Sequence, residues 1–237
     1  MISPAGRRQK GNKMSFSIAI DGPAGAGKST IAKRIAKKQN LIYVDTGAMY
    51  RAMALYLLRE NVSAGDSAAI SKKCESADIT IRYESGEQVV YLNGENVNPY
   101  LRTEQVGQMA SASSVNGDVR RKLVQLQQKL ASEADVIMDG RDIGTCVLPG
   151  ADVKIYLTAS VDVRARRRFD ELTAKGETWD LEEIKKEIAQ RDHRDMTREI
   201  SPLRQAEDAV LLDTSDMDIE AVVEAIIKIC EEKCGWK

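Results

Sequence analysis

The stretch Gly22-Pro23-Ala24-Gly25-Ala26-Gly27-Lys28-Ser29 follows an apolar run at residues 16–20 and leads through Thr30 into a helical pattern that continues to residue 39. It matches G-x-x-x-x-G-K-[ST], in which glycines let backbone N–H groups converge on phosphate oxygens. Lys28 would bring a positive charge to the β and γ oxygens, and the hydroxyl of Ser29 can bind Mg²⁺. The order of strand, loop and helix argues against an ordinary glycine-rich turn and predicts a loop that binds a nucleoside triphosphate.

The size and charge of the chain limit the classes of protein to which it can belong. Its 237 residues, 43% of them hydrophobic, suffice for one substantial α/β domain with a small inserted lobe. The formal net charge of −1 gives no general attraction to nucleic acid or to an anionic membrane and favours small anionic substrates. No run has the length and apolarity of a membrane span, and residues 1–13 are polar and basic, unlike a secretory signal. We therefore expect a cytoplasmic protein without nucleic-acid or membrane partners.

Cysteine and histidine usage argues against a metal centre built from these residues. The four cysteines, at positions 74, 146, 230 and 234, lack a zinc-binding spacing, and His193 is the only histidine. Cys230 and Cys234 could supply half of a soft-metal site, but no second pair completes it. We expect reduced thiols that are mainly structural, and no catalytic role for His193.

Periodic patterns downstream of the loop alternate between strand and helix, which is typical of a parallel sheet. Strands are expected at residues 16–20, 41–44, 136–138, 153–157 and 210–212. Helices are expected at residues 28–39, 48–60, 67–76, 103–113, 118–132, 161–174, 181–197 and 219–233. Between residues 79 and 98 the pattern changes to short alternating runs separated by Ser85-Gly86 and Asn93-Gly94. These two tight turns predict an antiparallel three-stranded meander.

Two polar segments follow strands of the expected parallel sheet, at the edge where such sheets bind ligands. In the first, Thr46 can donate to an anion at a helix N-terminus, and Arg51 offers a two-pronged contact to phosphate. In the second, Asp139 follows an apolar strand and is a candidate to orient the water shell of Mg²⁺. Arg141 and Asp142 would then face an acceptor pocket; the alternative is an exposed salt bridge in a turn.

Arginines gather on two later helices. Arg191, Asp195 and Arg198 are spaced i, i+4 and i+7, so a carboxylate between two guanidinium groups can hold both ready for phosphate or a sugar hydroxyl. A solvated charged face is the alternative. The segment 164–168 carries four arginines, which suit the stabilisation of charge on a transferring phosphoryl group. Nucleic-acid binding is the weaker interpretation of that segment, because aromatic residues are not interleaved with the arginines.

Among proteins with a phosphate loop, a small kinase fits this chain best. A switch GTPase would need an N-K-x-D segment, which the sequence lacks, and helicases or transport ATPases are normally larger and carry further motifs. Kinase chemistry needs no covalent enzyme intermediate, because positioning two phosphates in line and neutralising the charge between them supplies most of the effect. An arginine-rich acceptor site meets that requirement.

Four segments, at residues 22–30, 45–51, 139–145 and 191–198, together resemble bacterial-type cytidylate kinases, the CMP/dCMP kinases among the nucleoside monophosphate kinases. The resemblance covers about residues 15–235, with the segments in the same order and at similar spacing. It implies an α/β P-loop kinase with a five-stranded parallel core flanked by helices, a nucleotide-binding insert at about 62–118 that contains the meander, and a helical lid at about 164–178. Residues 1–13 fall outside the family pattern and are expected to form a disordered extension before a kinase domain at 14–237.

The resemblance also implies roles for individual residues. ATP would bind to residues 22–30, and Mg²⁺ would be held by Ser29 and, through water, by Asp139. CMP would be bound by Thr46, Arg51, Ser111, Arg120, Arg141, Asp142, Arg191, Asp195 and Arg198. The catalytic charges would be those of Lys28, Arg141, Arg167, Arg168 and Arg198.

Within that set, Ser111, Arg120 and Asp142 are implied to contact the cytosine base. Cytosine presents an amino donor beside an acceptor nitrogen and a carbonyl, which a carboxylate, a guanidinium and a hydroxyl can match. Uracil would place a carbonyl against Asp142, so discrimination against UMP is expected. Ser111 and Arg120 owe their roles to the resemblance alone.

The resulting expectation is a monomeric enzyme of pyrimidine nucleotide metabolism that converts ATP and CMP or dCMP into ADP and CDP or dCDP with Mg²⁺. A kinase for another small acceptor, such as UMP, AMP or shikimate, is the nearest alternative. From a different class, the alternative is a nucleotide-sensing or RNA-binding protein that retains the phosphate loop. Acceptor-dependent turnover distinguishes both kinases from that binding protein.

Overall fold

The computed structural model describes residues 15–235, so the extension expected at residues 1–13 lies outside the described residues. Within the described part, eight strands fall into two sheets. The strands are β1 Ser17–Asp21, β2 Ile42–Asp45, β3 Ile79–Glu84, β4 Glu87–Leu92, β5 Glu95–Asn96, β6 Val136–Gly140, β7 Val153–Thr158 and β8 Val210–Asp213. The helices are α1 Lys28–Gln39, α2 Thr46–Arg59, α3 Ser67–Cys74, α4 Glu104–Ser113, α5 Gly117–Glu133, α6 Val161–Ala174, α7 Leu181–Thr197 and α8 Ile219–Cys234.

A five-stranded parallel sheet forms the centre of the fold, in the order β2-β6-β1-β7-β8. The central strand, β1, pairs in parallel with β6 on one side and with β7 on the other. The expected parallel core is thereby confirmed. Because β1 leads directly into the phosphate loop, the loop emerges at the carboxyl edge of the sheet between two neighbouring strands, where open sheets bind ligands.

Helices cover both faces of this sheet. On β1, Ala19 packs in the apolar cluster that includes residues of α2, α3, α4 and α5, whereas Ile18 and Ile20 pack in the cluster that includes α1 and α8. Burial on both faces explains why the strand reads as a continuous apolar run rather than an alternating one. Helices α6 and α7 pack against each other over a smaller cluster that contains Ala165 and Ile184.

The core strands run further toward the carboxyl edge than their apolar runs predict. β1 includes Asp21, and β6 includes Asp139 and Gly140, because parallel pairing between the two strands continues through these residues. Pairing depends on backbone N–H and C=O groups, so a polar side chain does not end it. The candidate site residues on these strands are therefore held by the sheet itself.

Two local structures at this edge also differ from the expectation. Helix α2 begins two residues early, at Thr46, because the side chain of Asp45 accepts a hydrogen bond from the N–H of Ala48 at 2.9 Å and caps the helix. A π-helical turn at Ile143–Val147 follows β6, in a segment for which the sequence predicted no regular structure.

The antiparallel meander is confirmed, in the order β3-β4-β5. Ser85, Gly86, Asn93 and Gly94 all have positive φ angles, between 50° and 82°, as tight hairpin turns require. Strand β5 is shorter than expected because residues 98–100 form a 3₁₀ turn with proline at its start, and proline has no N–H to donate to a ladder.

The meander is tied to the end of strand β2 by side chains. The amide of Gln88 bonds both backbone groups of Asp45: it accepts from the N–H at 2.8 Å and donates to the carbonyl at 3.2 Å. The hydroxyl of Tyr83 donates to the carbonyl of Tyr43 at 3.1 Å. The meander therefore lies against the strand that leads into Thr46 and Arg51.

Two of the cysteines belong to the core. Cys74 and Cys230 are buried in the two large apolar clusters, and burial raises the pKa of the Cys230 thiol to about 12, which keeps it protonated. Over residues 15–235 there is no group of three or more His, Cys, Asp or Glu side chains arranged to hold a metal ion. No helix in that range is long and apolar enough to cross a membrane.

Candidate active site

The phosphate loop has a backbone that requires glycine. Gly22 has a φ of 148°, and a Cβ added to it would come within 1.9 Å of the carbonyl oxygen of Leu157 on β7. Gly27, with a φ of 86°, occupies the N-cap position of α1. The N-terminus of this helix carries the partial positive charge that favours phosphate.

Lys28 is buried inside the loop. Its ammonium group donates to the carbonyl of Pro23 at 2.7 Å. Burial, followed by the positive charge of Arg141, lowers its pKa well below the usual value. A buried cation whose charged form is disfavoured in this way gains most from a nearby anion, such as the phosphates of a nucleotide.

Asp139, at the end of β6, lies beside the loop and is held on both carboxylate oxygens. Ser29 donates to Oδ2 and Tyr43 donates to Oδ1, each at 2.8 Å. Burial, followed by the negative charge of Asp45, raises the pKa of Asp139. A hydroxyl and a buried carboxylate side by side are hard oxygen donors of the kind that Mg²⁺ prefers, and a cation there would offset the desolvation of the carboxylate. These residues fit the metal that the phosphate loop implies.

Asp142 lies in a buried ion pair with Arg120 of α5, and both side chains are about 5% exposed. A second guanidinium, that of Arg198, lies 3.7 Å from the other carboxylate oxygen. The alternative interpretation of Arg141 and Asp142, an exposed salt bridge in a turn, is wrong because Asp142 is buried and bonded elsewhere.

Asp21 orients the segment that carries Asp142, and sequence reasoning missed it. Its carboxylate accepts from the N–H groups of Ile143 and Gly144 at 2.8 and 2.7 Å. Burial is the main cause that raises its pKa to about 6, with the charge of Asp142 acting in the same direction. An acidic residue directly before a phosphate loop was the available signal, but its partners lie more than a hundred residues downstream.

Asp195 pairs with a different residue from those that its helical spacing predicts. It accepts from Nε of Arg141 at 2.9 Å. The spacing from Arg191 to Arg198 does not stay on one helix face, because α7 ends at Thr197 and Arg198 has an extended backbone. The guanidinium of Arg198 instead donates through Nε to the carbonyl of Ser201 at 2.7 Å.

Unused donors remain among the arginines that are expected to bind the acceptor. Among the described residues, Nε of Arg191 and Nη2 of Arg198 are buried without a hydrogen-bond partner. Burial, then the charge of Arg141, lowers the pKa of Arg191 to about 10. For Asp195, burial opposes ionisation, yet the charges of Arg141, Arg191 and Arg198 hold its pKa below the usual value. The arrangement is cationic and suited to a phosphate.

The remaining candidates on α2 and α4 lie around this region. Thr46 donates its hydroxyl to the backbone carbonyl of Asp139 at 2.7 Å, and Nη1 of Arg51 donates to the carbonyl of Leu101 at 3.0 Å. Ser111 lies on α4 and is partly buried. Of the ATP-loop residues not yet described, Ala26 is buried and Thr30 is exposed at the start of α1.

The arginines of α6 differ from one another. Arg164 is buried, and its three nitrogens all have protein partners. Arg167 donates to the carbonyl of Thr214 at 2.7 Å, whereas Arg168 is exposed and pairs with Glu171 at 3.0 Å. The four arginines are therefore not equivalent sources of mobile charge for a phosphoryl group.

A family model and curated relatives agree on one family. The cytidylate kinase family model matches residues 18–232. A cytidylate kinase of Caldicellulosiruptor saccharolyticus is 49% identical over 220 residues, covering 93% of this chain and 97% of that protein. A cytidylate kinase of Lactobacillus johnsonii is 48% identical over 226 residues, covering 95% and 98% of the two chains.

A solved structure resembles the chain at the level of the fold. The crystal structure of an uncharacterised protein from Eubacterium ventriosum superimposes with a TM-score of 0.52 at 15% identity, covering 92% of this chain and 99% of that one. The family model and the curated relatives, by contrast, match in sequence over more than nine-tenths of the chain. This chain therefore belongs to the cytidylate kinase family.

Proposed function

We propose that this chain transfers the γ-phosphoryl group of ATP to the phosphate of CMP or dCMP, giving ADP and CDP or dCDP. The observation that carries the proposal is the meeting, at one edge of the central sheet, of a phosphate loop and the buried Arg120–Asp142 pair. The charge of Arg141 reaches Lys28 of the loop, and its side chain bonds Asp195 on the acceptor side. A donor and an acceptor bound at these two places would lie next to each other.

The donor binds through the loop in this proposal. Successive N–H groups and Lys28 receive the phosphates, and Ser29 with Asp139 would hold Mg²⁺. The metal, when bound, supplies positive charge on the oxygens of the β- and γ-phosphates. Tyr43 fixes the second oxygen of Asp139, so the carboxylate presents a defined side to the metal's water shell.

Transfer requires an in-line arrangement of two phosphates. An oxygen of the acceptor phosphate forms a bond to the γ-phosphorus while the bond to the β–γ bridging oxygen breaks, and ADP leaves with that oxygen. Charge spread over the transferring group is stabilised by Lys28, Arg141 and Arg198. Because both phosphates are anionic, neutralising their repulsion is the main task of these residues.

Base selection follows from the chemistry of Asp142. A carboxylate accepts hydrogen bonds and does not donate them, so it pairs with the amino group of cytosine and repels the carbonyl that uracil has at the same position. The guanidinium of Arg120 holds the carboxylate in place and offers donors to the cytosine carbonyl. Burial of the pair makes a mismatched base costly, because its polar groups would stay unpaired.

The decisive test is release of ADP from Mg²⁺-ATP with CMP, dCMP, UMP, AMP, GMP and shikimate offered separately. We expect turnover with CMP and dCMP far above that with the other acceptors. Lys28→Ala, prepared in parallel, controls for contaminating kinases because it removes the charge on the transferring phosphate. Turnover with another acceptor would contradict the base assignment, and ATP binding without any turnover would favour a binding protein.

A further inference from the structure

Arg164, at the start of α6, bonds to three separate parts of the chain. Its side chain is 4% exposed. Nε donates to the carbonyl of Ala159 at 2.8 Å, and Nη1 donates to the carbonyl of Ala24, in the phosphate loop, at 3.0 Å. Nη2 lies 2.7 Å from a carboxylate oxygen of Asp192 on α7. One side chain therefore contacts both the donor loop and the helix that carries acceptor-site residues.

Contact with the loop is steric as well as polar. Gly25 has a φ of 77°, and a Cβ added to it would lie 3.3 Å from Cβ of Arg164. The loop thus rests directly on the first turn of α6. Any change in the backbone of the loop would move the carbonyl of Ala24, which accepts from Arg164.

The partner on α7 lies among the acceptor-site residues. Asp192 directly follows Arg191 and precedes Asp195 by three positions. Its side chain is buried, and Oδ1 accepts no hydrogen bond from the described residues, so its charge relies on Arg164 at Oδ2. A buried carboxylate strongly resists separation from its cation, because an unpaired buried charge is very unfavourable. Asp192, and the turn of α7 around it, should therefore follow Arg164.

We infer that Arg164 is a positioning residue that couples the two nucleotide sites, an inference that rests on the proposed function. A bound donor fixes the loop, and the link through Arg164 to Asp192 then sets the orientation of Arg191 and Asp195 toward the acceptor. The coupling must be reciprocal: a bound ATP analogue tightens CMP binding by the same factor by which CMP tightens binding of the analogue. If the ion pair served only to stabilise the fold, removing it would leave this factor unchanged.

The experiment is calorimetric titration of CMP into the full chain, with and without a saturating non-hydrolysable ATP analogue and Mg²⁺. Wild type should bind CMP about 5-fold or more tightly when the analogue is present, which is the lower range of typical coupling between sites. Arg164→Lys keeps the charge, but its donors all lie on one nitrogen and cannot reach the three partners that the planar guanidinium spans. Asp192→Asn keeps the shape but removes the charge. In both variants the factor should fall to within about twofold of one.

Arg59→Lys provides the matched control, because Arg59 also pairs with a carboxylate, that of Glu95 at 2.6 Å, but on the exposed surface. Its coupling factor should equal that of wild type. A wild-type factor near one overturns the inference. The inference is also overturned if Arg164→Lys or Asp192→Asn retains the wild-type coupling factor. A lower melting temperature with an unchanged factor would show that the pair is purely structural. If one variant does not fold, the other decides. Failure of wild type to bind CMP at all would instead refute the proposed function.

Discussion

At the scale of single residues, the buried carboxylates of the site fall into two groups. Asp142 and Asp195 each pair with an arginine. Asp21 and Asp139 are held by backbone N–H groups or hydroxyls instead, and burial raises the pKa of both. The second group flanks Lys28, whose own pKa is lowered mainly by burial. The donor side would therefore be completed electrostatically by Mg²⁺ together with a nucleotide, whereas Asp142 already has its counter-charge in Arg120.

The first prediction concerns Asp142→Asn. The variant removes the charge that compensates Arg120 in a buried pair, so we expect the KM for CMP to rise roughly 100-fold, or about 2–3 kcal/mol. The KM for ATP should change by less than about twofold, since the phosphate loop is untouched. Preference for CMP over UMP should fall, because an amide can donate to the uracil carbonyl. Both KM values and the preference are measured from initial rates, with one nucleotide varied while the other is kept saturating.

A matched control is Asp118→Asn, which alters an Asp–Arg pair on the exposed surface of the same helix as Arg120. It should leave the kinetic constants near those of wild type, because exposed pairs contribute little. If Asp142→Asn kept wild-type use of CMP and rejection of UMP, the base-reading role would be refuted.

The second prediction concerns the pH dependence of stability through Asp21. Its pKa rises from an ordinary 3.8 to about 6 on folding, so its contribution to stability is fully present below about pH 4 and is lost as the pH rises through about 6. At about 1.4 kcal/mol per pKa unit, wild type should lose about 2 kcal/mol relative to Asp21→Asn between pH 4 and 7. Urea unfolding of both proteins at each pH gives this difference. A difference that stays constant with pH would show that Asp21 ionises normally.

At the scale of secondary-structure elements, the sequence predicted most bounds well, for identifiable reasons. Helix α7 has the bounds expected from its periodicity, and Asp180 caps it by accepting from the N–H of Glu183 at 2.9 Å. The roles of charged residues at the helix end were harder to predict. Periodicity assumes that the helix continues, whereas Arg198 leaves it and bonds Ser201. Helical spacing therefore predicts which residues share a face only for residues that lie within the helix.

The third prediction concerns the loop between α6 and α7, at residues 175–180, which begins within the expected lid at about 164–178 and extends past its end. Every residue in it is exposed, and the indole of Trp179 donates to Glu177 at 2.9 Å inside the loop. Arg164 anchors the start of α6, so we expect this loop to supply the closing motion. Binding of CMP and an ATP analogue together should shift Trp179 emission to shorter wavelength more than either ligand alone. Trp236→Phe removes the chain's second tryptophan, and emission unchanged by the ligand pair would contradict closure here.

At the scale of the whole molecule, alternation of strand and helix predicted the parallel sheet, and two tight turns predicted the meander. The side-chain partners within the site were beyond such reasoning. Arg120 meets Asp142, and Arg141 meets Asp195, through contacts that link different elements. Local patterns carry no information on which helix packs beside which strand end. Only the resemblance supplied Arg120, and the sequence analysis singled out neither Asp21 nor Tyr43.

The fourth prediction concerns the attachment of the meander to the core sheet. Gln88→Leu leaves the N–H and carbonyl of Asp45 without their side-chain partners, and we expect a loss of about 1–2 kcal/mol in the free energy of unfolding. The KM for CMP should rise more than that for ATP, because Asp45 caps the helix that carries Arg51. Urea unfolding and initial rates test both effects. Gln108→Leu, at an exposed glutamine of the same insert, is the control, and equal behaviour of the two variants would refute this role of Gln88.

The central position of β1 has a consequence for synthesis of the chain. Its pairing partners β6 and β7 begin at Val136 and Val153, more than a hundred residues downstream. At about 5–20 residues per second, the strand that leads into the phosphate loop leaves the ribosome on the order of ten seconds before either partner exists. An apolar strand without neighbours for that long is a target for aggregation, so chaperone binding to the nascent chain should be concentrated between the emergence of β1 and that of β7.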